Sequence, residues 1–163
     1  MKSFVHEQET PPKIQLAHPT AEKIAAFAVW RVDYYICTGI AYAKSLGKTS
    51  EEFAGFVGLA HSWESMRGQG LEPPVQLLNF VIKSYEDGEF EITSQSENTV
   101  EMHCNRPYAR FFDENAMLGI SLDEFETCLW HHIAFMARRI DLDFSYRIEG
   151  NLVMLSLSQY ESN

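Results

Sequence analysis

Three consecutive stretches decide the fold: FEITSQSENTVEMHC (90–104), SLDEFETCLWHHIAFMARR (121–139) and LDFSYRIEGNLVMLSLS (142–158). In the first, Phe90 and Ile92 alternate with polar neighbours. Val100, Met102 and Cys104 do the same beyond Glu97-Asn98, which is the pattern of a hairpin with a short polar turn. In the last, Leu142, Phe144, Tyr146 and Ile148 share one face, Glu149-Gly150 turns the chain, and Val153, Leu155 and Leu157 return. Between the two hairpins the period lengthens. Leu122, Phe125, Leu129 and Ile133 fall on one helical stripe, and Ser121 with Glu124 forms a capping box at its start.

The chain before residue 89 reads as helical. A long helix is predicted from about Thr20 to Leu46, with Pro19-Thr20 as its start and Gly47 as its stop. Ile24, Phe27, Trp30, Tyr34, Ile36, Ile40 and Tyr42 wrap most of this cylinder, so it is expected to be the covered, central helix. A second helix opens at a Thr49/Glu52 capping box, carries Phe53, Phe56, Val57, Ala60 and Trp63, and ends at Gly68 and Gly70. Pro73-Pro74 opens a third, with Leu77, Leu78, Val81 and Ile82 buried, and Asp87-Gly88 closes it. A short helical turn is expected near Tyr108 to Phe112. The predicted fold class is α+β: N-terminal helices, then a ββαββ unit whose antiparallel sheet carries helices on one face. Residues 1–19 are polar with Pro11-Pro12 and read as a flexible arm, leaving residues 20–163 as a single domain.

Composition narrows the function classes. The net charge of −10 and the lack of a basic cluster argue against nucleic acid and anionic membrane surfaces as partners. Three cysteines form no paired framework, and with no signal-peptide pattern they point to a reducing, cytoplasmic setting. The run from Ile24 to Ala43 is apolar enough to pose the question of a membrane span. Arg31 and Asp33 in its middle favour a buried core helix instead. Aromatic residues make up 13% of the chain, which suits a ring-lined pocket as well as a core.

The chemistry-bearing residues converge on the C-terminal half. Cys128, with His131 and His132 three and four positions on, stacks on one side of the predicted helix, and thiolate and imidazole suit zinc or iron. Adjacent histidines point about 100° apart, so a site needs Cys104 or His103 to arrive from the sheet. No Cys-x-x-Cys or His-Glu-x-x-His motif is present, and Cys128 on the apolar stripe is equally well a small hydrophobe. Cys104 ends a strand before Asn105-Arg106-Pro107, where Arg106 would favour a thiolate and His103 or His132 could serve as base. The plainer alternative follows from alternation, which turns Cys104 into the core. Arg31 on the first helix could anchor a ligand carboxylate in a pocket walled by Trp30, Tyr34 and Tyr35. An exposed strip explains Arg31 and Asp33 as well. His61 and Trp63 could line an entrance.

The order of elements, with Cys104 after the second strand, Tyr108-Ala109-Arg110-Phe111-Phe112, the mid-helix Cys128 and the final hairpin through Phe144 to Gly150, resembles the bacterial aminothiazoline-carboxylate hydrolase-like family. It is also similar to the 4-vinyl-reductase-type small-molecule-binding domains. The resemblance covers about residues 20–158 and implies a ligand-binding module, with Cys104 and Cys128 as the positions that carry over. The Cys-Pro frequent in the hydrolase-like group is here Cys104-Asn105-Arg106-Pro107, and the last strand has Val153-Met154-Leu155 in place of a cysteine.

The sequence therefore points to a small-molecule-binding domain with an apolar pocket between helices and sheet, using Trp30, Arg31, Tyr34, Trp63 and Phe125. One alternative is a hydrolase of a small heterocycle or amide. It would use Cys104 and His132, or a zinc or iron ion on Cys104, Cys128 and His132. No cofactor is expected on the first reading. A homodimeric interaction module, its aromatic residues serving the interface, is the other alternative.

Overall fold

The computed structural model describes residues 20–60, 63–112 and 117–160. The arm expected over residues 1–19 and the side chain of His61 lie outside them. The chain folds as α+β: helices α1 (Ala21–Ser45), α2 (Ser50–Ala60) and α3 (Glu72–Lys83), then strands β1 (Phe90–Gln95) and β2 (Thr99–Asn105), helix α4 (Leu122–Arg138), and strands β3 (Leu142–Glu149) and β4 (Leu152–Gln159). The four strands form one antiparallel sheet in the order β1-β2-β4-β3.

Local chemistry places the helix starts. Thr20 Oγ1 accepts the Lys23 N–H at 3.3 Å. Thr49 and Glu52 exchange backbone and side-chain hydrogen bonds of 2.9 and 3.1 Å, and Ser121 and Glu124 do the same at 2.9 and 3.2 Å. Each pair satisfies backbone N–H groups that the first helical turn leaves without partners. The second helix is shorter than its apolar periodicity predicts. It is described over Ser50–Ala60, and Trp63 is already outside it, before a separate 3₁₀ turn at Glu64–Met66. The short 3₁₀ turn Ala109–Phe111 falls within the segment expected to be helical.

Alternation along the strands is read out faithfully where the sheet is covered. Val100, Met102 and Cys104 of β2, Leu142 and Phe144 of β3, and Val153, Leu155 and Leu157 of β4 are buried on one face. On the other, polar side chains pair across strands, as in Ser156 to Glu101 at 2.8 Å and His103 to Glu91 at 3.3 Å. Strand β1 departs from the prediction. It is an edge strand, its register slips between Ile92 and Ser94, and Ile92 is exposed. A bulge at an edge releases its side chains from the pleat that would bury them.

The central helix is α4, not α1. Phe125, Cys128, Trp130, Ile133, Met136 and Ala137 of α4 are buried, with the sheet on one side and α2 on the other. α1 buries Asp33, Cys37, Ile40 and Ala43, a single line along its C-terminal half. Its opposite side and its N-terminal turns are exposed. Apolar residues all round a helix signal that it needs cover, without saying that this domain supplies it.

Glycines set the closeness of α2 to α4. A Cβ built on Gly58 would stand 2.6 Å from the Cβ of Phe135, and one on Gly55 3.2 Å from its ring. The α4–β3 corner is held by Arg67, whose guanidinium donates to the Asp141 carboxylate and to the Arg139 carbonyl. Asp141 turns that corner with φ at 64°.

Gly58→Ala is expected to destabilise the domain by about 1–3 kcal/mol through overpacking, because neither backbone-fixed Cβ can swing aside. Gly55→Ala meets a ring that can rotate and is expected to cost less. Urea unfolding of both variants checks the order; equal losses would mean that the helix pair does not depend on this approach.

Candidate functional site

Two polar clusters sit inside the aromatic core, and both involve residues near the expected site. Glu126, almost fully buried on α4, receives Arg106 through Nε and Nη2 at 2.6 Å each, and the Tyr108 hydroxyl donates to it at 3.0 Å. A planar guanidinium gripping a carboxylate twice is the geometry that lets such a charge stay buried. Arg106 also donates to the Gly150 carbonyl at 2.9 Å, tying the β3–β4 turn to the same cluster. In the second cluster Asp33 of α1 accepts the Tyr85 hydroxyl at 2.8 Å. Its other oxygen has no hydrogen-bond partner among the described residues. Burial pushes the Asp33 carboxyl up to about 6, with the Tyr85 bond pulling the other way. Tyr85 stacks edge-on against Tyr108 at 6.1 Å, so the two clusters meet through rings.

These contacts decide the fate of the cysteines. Cys104 is fully buried, and its thiol is pushed up to about 12 by burial and then by the Glu126 charge. Arg106 spends its guanidinium on Glu126, so it does not favour a Cys104 thiolate. His103 points to the opposite face of the sheet, as a strand neighbour must. Cys128 is likewise pushed up to about 12 by burial. Cys37, held the same way by burial with Asp33 and Cys128 adding, completes a set of three buried, free thiols. The expected metal set of Cys104, Cys128 and His132 does not form. Among the described residues no three His, Cys, Asp or Glu side chains gather closely enough to hold an ion. Cys104 and Cys128 face the core, while His132 lies partly exposed, its carbonyl against Gly58 of α2.

Nor do the expected ligand-binding residues share a cavity. Trp63 is packed in the core. Phe125 is fully buried, its ring 5.4 Å from Tyr108 and 5.1 Å from Phe112. Trp30 and Tyr34 stand on the exposed side of α1, stacked on each other at 5.4 Å. Arg31 lies over the Tyr35 ring at 5.5 Å and donates to its hydroxyl at 3.2 Å. Among the described residues, Trp63 and Phe125 belong to one buried cluster that joins the helices to the sheet, while Trp30, Arg31 and Tyr34 stand outside it.

An open groove does exist, on the outer side of the helices. It has a volume of about 690 Å³ and lies between the C-terminal end of α1, α2 and Phe135 of α4. Tyr42, Leu46, Phe53, Phe56 and Phe135 line it, and Gly55 lets its floor run close under the Phe135 ring. Lys48, Glu51 and Glu52, all solvent-exposed, supply its charged rim groups. Lys48 and Glu52 are paired at 2.8 Å, and that bond, then the Thr49 backbone N–H, holds the Glu52 carboxyl below its usual range. Glu51 lies 3.6 Å from His131. With Lys48 answered by Glu52, the rim is neutral to acidic. The sequence reading missed this groove, although it named Phe53, Phe56 and Tyr42. Period alone assigned all three to buried faces, and the groove is assembled from turns that lie far apart in the chain.

Arg106→Met is expected to destabilise the domain by about 3–5 kcal/mol, because Glu126 is left buried without a partner. The double variant Arg106→Met/Glu126→Leu should recover most of that loss in urea unfolding, whereas an unrescued double variant would place the loss in packing instead. Asp33 gives a pH signature. Its carboxyl is protonated up to about 6 when folded but only up to about 3.8 when unfolded, so its contribution favours folding most below pH 4 and is lost as pH rises to about 6. Relative to Asp33→Asn, the wild type should therefore lose about 2 kcal/mol of stability between pH 4 and pH 7. A difference that stays flat across this range would contradict the buried carboxyl. Iodoacetamide at neutral pH should leave Cys104 and Cys128 unmodified until the chain is unfolded.

Comparison with protein-family models, with curated proteins and with solved structures finds no match for this chain.

Proposed function

We propose that this domain binds a small, mostly apolar ligand in the groove between α1, α2 and α4. The observation that carries the reading is the groove itself: about 690 Å³ lined by six aromatic or aliphatic side chains, with the exposed Lys48, Glu51 and Glu52 as its charged groups. Sites for small molecules are commonly concave, of this size, and apolar with a few polar groups to orient the guest. The rim narrows the ligand class. Lys48 is neutralised by Glu52, and Glu51 adds negative charge, so a carboxylate gains little there and a neutral or weakly basic molecule is favoured.

Binding without catalysis fits the rest of the molecule. A nucleophile needs a thiolate, and burial disfavours that form at all three cysteines. A hydrolase reading would therefore need a group other than Cys104 to attack. Three unpaired cysteines also suit a reducing compartment, and the charge of −10 suits a partner that is not a nucleic acid.

Fluorescence titration tests this. N-phenyl-1-naphthylamine, which is neutral, should bind with saturation, and the anionic probe 1-anilinonaphthalene-8-sulfonate should bind at least tenfold more weakly. Phe56→Ser should weaken the neutral probe by about tenfold, the value of one aromatic wall. Because Phe56 is 68% exposed, this change should leave the unfolding midpoint nearly unchanged. Equal affinity of wild type and Phe56→Ser would place binding elsewhere, and no saturable binding of either probe would remove the proposal.

A further inference from the structure

The N-terminal two thirds of α1 present a second surface, separate from the groove. Ile24, Phe27, Trp30, Val32, Tyr34 and Tyr35 are all exposed, Phe27 by 57% and Tyr35 by 59%. Phe27, Trp30 and Tyr34 are stacked in a ladder with ring centroids 5.7 and 5.4 Å apart. By length and composition α1 could cross a membrane, and only 17% of its apolar window is buried in this domain. Water contact over so many rings on one helix is costly, and exposed apolar patches of this extent mark interaction sites.

We infer that this face of α1 is the interface of a symmetric homodimer, with α1 packing against α1 of a second copy. Area supports a second copy. The six side chains expose on the order of 600 Å², a large part of the roughly 800 Å² each partner gives to a standard interface, with Val32 at its edge. Charge supports it too. From Lys23 to Thr38 the sole carboxylate is Asp33, and it is turned into the domain, so no acid is desolvated when two such faces meet. Arg31, the cation within the strip, is already laid flat over Tyr35. A two-fold axis needs one patch that matches itself, and the ridge of rings Phe27, Trp30 and Tyr34 along α1 meets that need.

A bilayer fits less well. Spanning would pull Asp33 away from Tyr85, and Cys37, Ile40 and Ala43 out of the core. Lying on the surface calls for a basic flank, whereas the chain is acidic and the strip has Arg31 alone within it. The dimer also has a distinctive salt response. Two chains of −10 repel, so screening should tighten an apolar interface, while it would release a helix held by anionic lipid.

Sedimentation equilibrium of the full chain at about 50 µM, above the micromolar Kd of a weak standard-size interface, is the test. The wild type should show twice the 18.7 kDa chain mass and associate more tightly at high salt. Phe27→Glu and Val32→Glu should each weaken association at least tenfold with unchanged circular dichroism, and Phe56→Glu, in the groove, should remain dimeric. A wild type at the single-chain mass, or a Phe27→Glu variant still dimeric, overturns the inference. So does recovery of a monomeric wild type on phosphatidylcholine–phosphatidylglycerol vesicles. Loss of probe binding in Phe56→Ser with the dimer intact keeps this outcome distinct from that of the groove.

Discussion

The close packing of α4 between the sheet and α2 is the constraint on which the rest of the molecule depends. Gly55 and Gly58 remove side chains where α2 crosses Phe135, so the two helices approach until little space is left between them. On its other side α4 lays Trp130 against Phe144 of β3, ring centroids 6.3 Å apart. A helix covered on both sides turns its chemically capable residues into core. Phe125, Cys128 and Trp130 are therefore packing elements of one buried cluster. The proposed function accordingly lies on the outside of the helical layer, in the groove lined by α1, α2 and Phe135 and on the exposed side of α1.

The interior is still not purely apolar. Glu126 and Asp33 are both nearly free of solvent contact, and the protein manages them in different ways. Glu126 is answered by a two-point guanidinium contact and a phenol, which compensate the loss of water. Asp33 has one phenol, and its carboxyl is held toward the neutral form. Since Asp33 sits where α1 docks, the attachment of that helix carries an electrostatic penalty that grows as the carboxyl ionises. The rings of Tyr85 and Tyr108 link the two clusters through the middle of the core.

Much of this architecture was legible in the sequence. Both capping boxes, the two hairpins, their inward faces and the α+β order follow from local pattern, because each depends on residues within a few positions of one another. Three features were not legible for one shared reason: they depend on what stands opposite. The apolar girth of α1 predicted a central helix, but periodicity reports the need for cover and not its supply. Ile92 alternates as a buried residue does, yet β1 is an edge strand with a bulge. Arg106 was read beside Cys104 as an activator of the thiol, whereas it reaches across 20 positions to Glu126. One signal could have exposed that pair, since Glu126 interrupts the buried side of α4 beside Phe125 and so requires a cationic partner. The groove combines residues from Tyr42 to Phe135, and no local pattern in the sequence announces it.

The central claim is that the outer groove of the helical layer, and not the thiol-bearing interior, receives the guest. Amide and aromatic chemical-shift mapping during titration with a neutral naphthylamine tests it most directly. Perturbations gathered at Tyr42, Leu46, Phe53, Phe56 and Phe135 are the predicted result. Shifts centred instead on Trp63, Cys104, Phe125 and Cys128 would contradict the account, by showing that the core opens to admit a ligand.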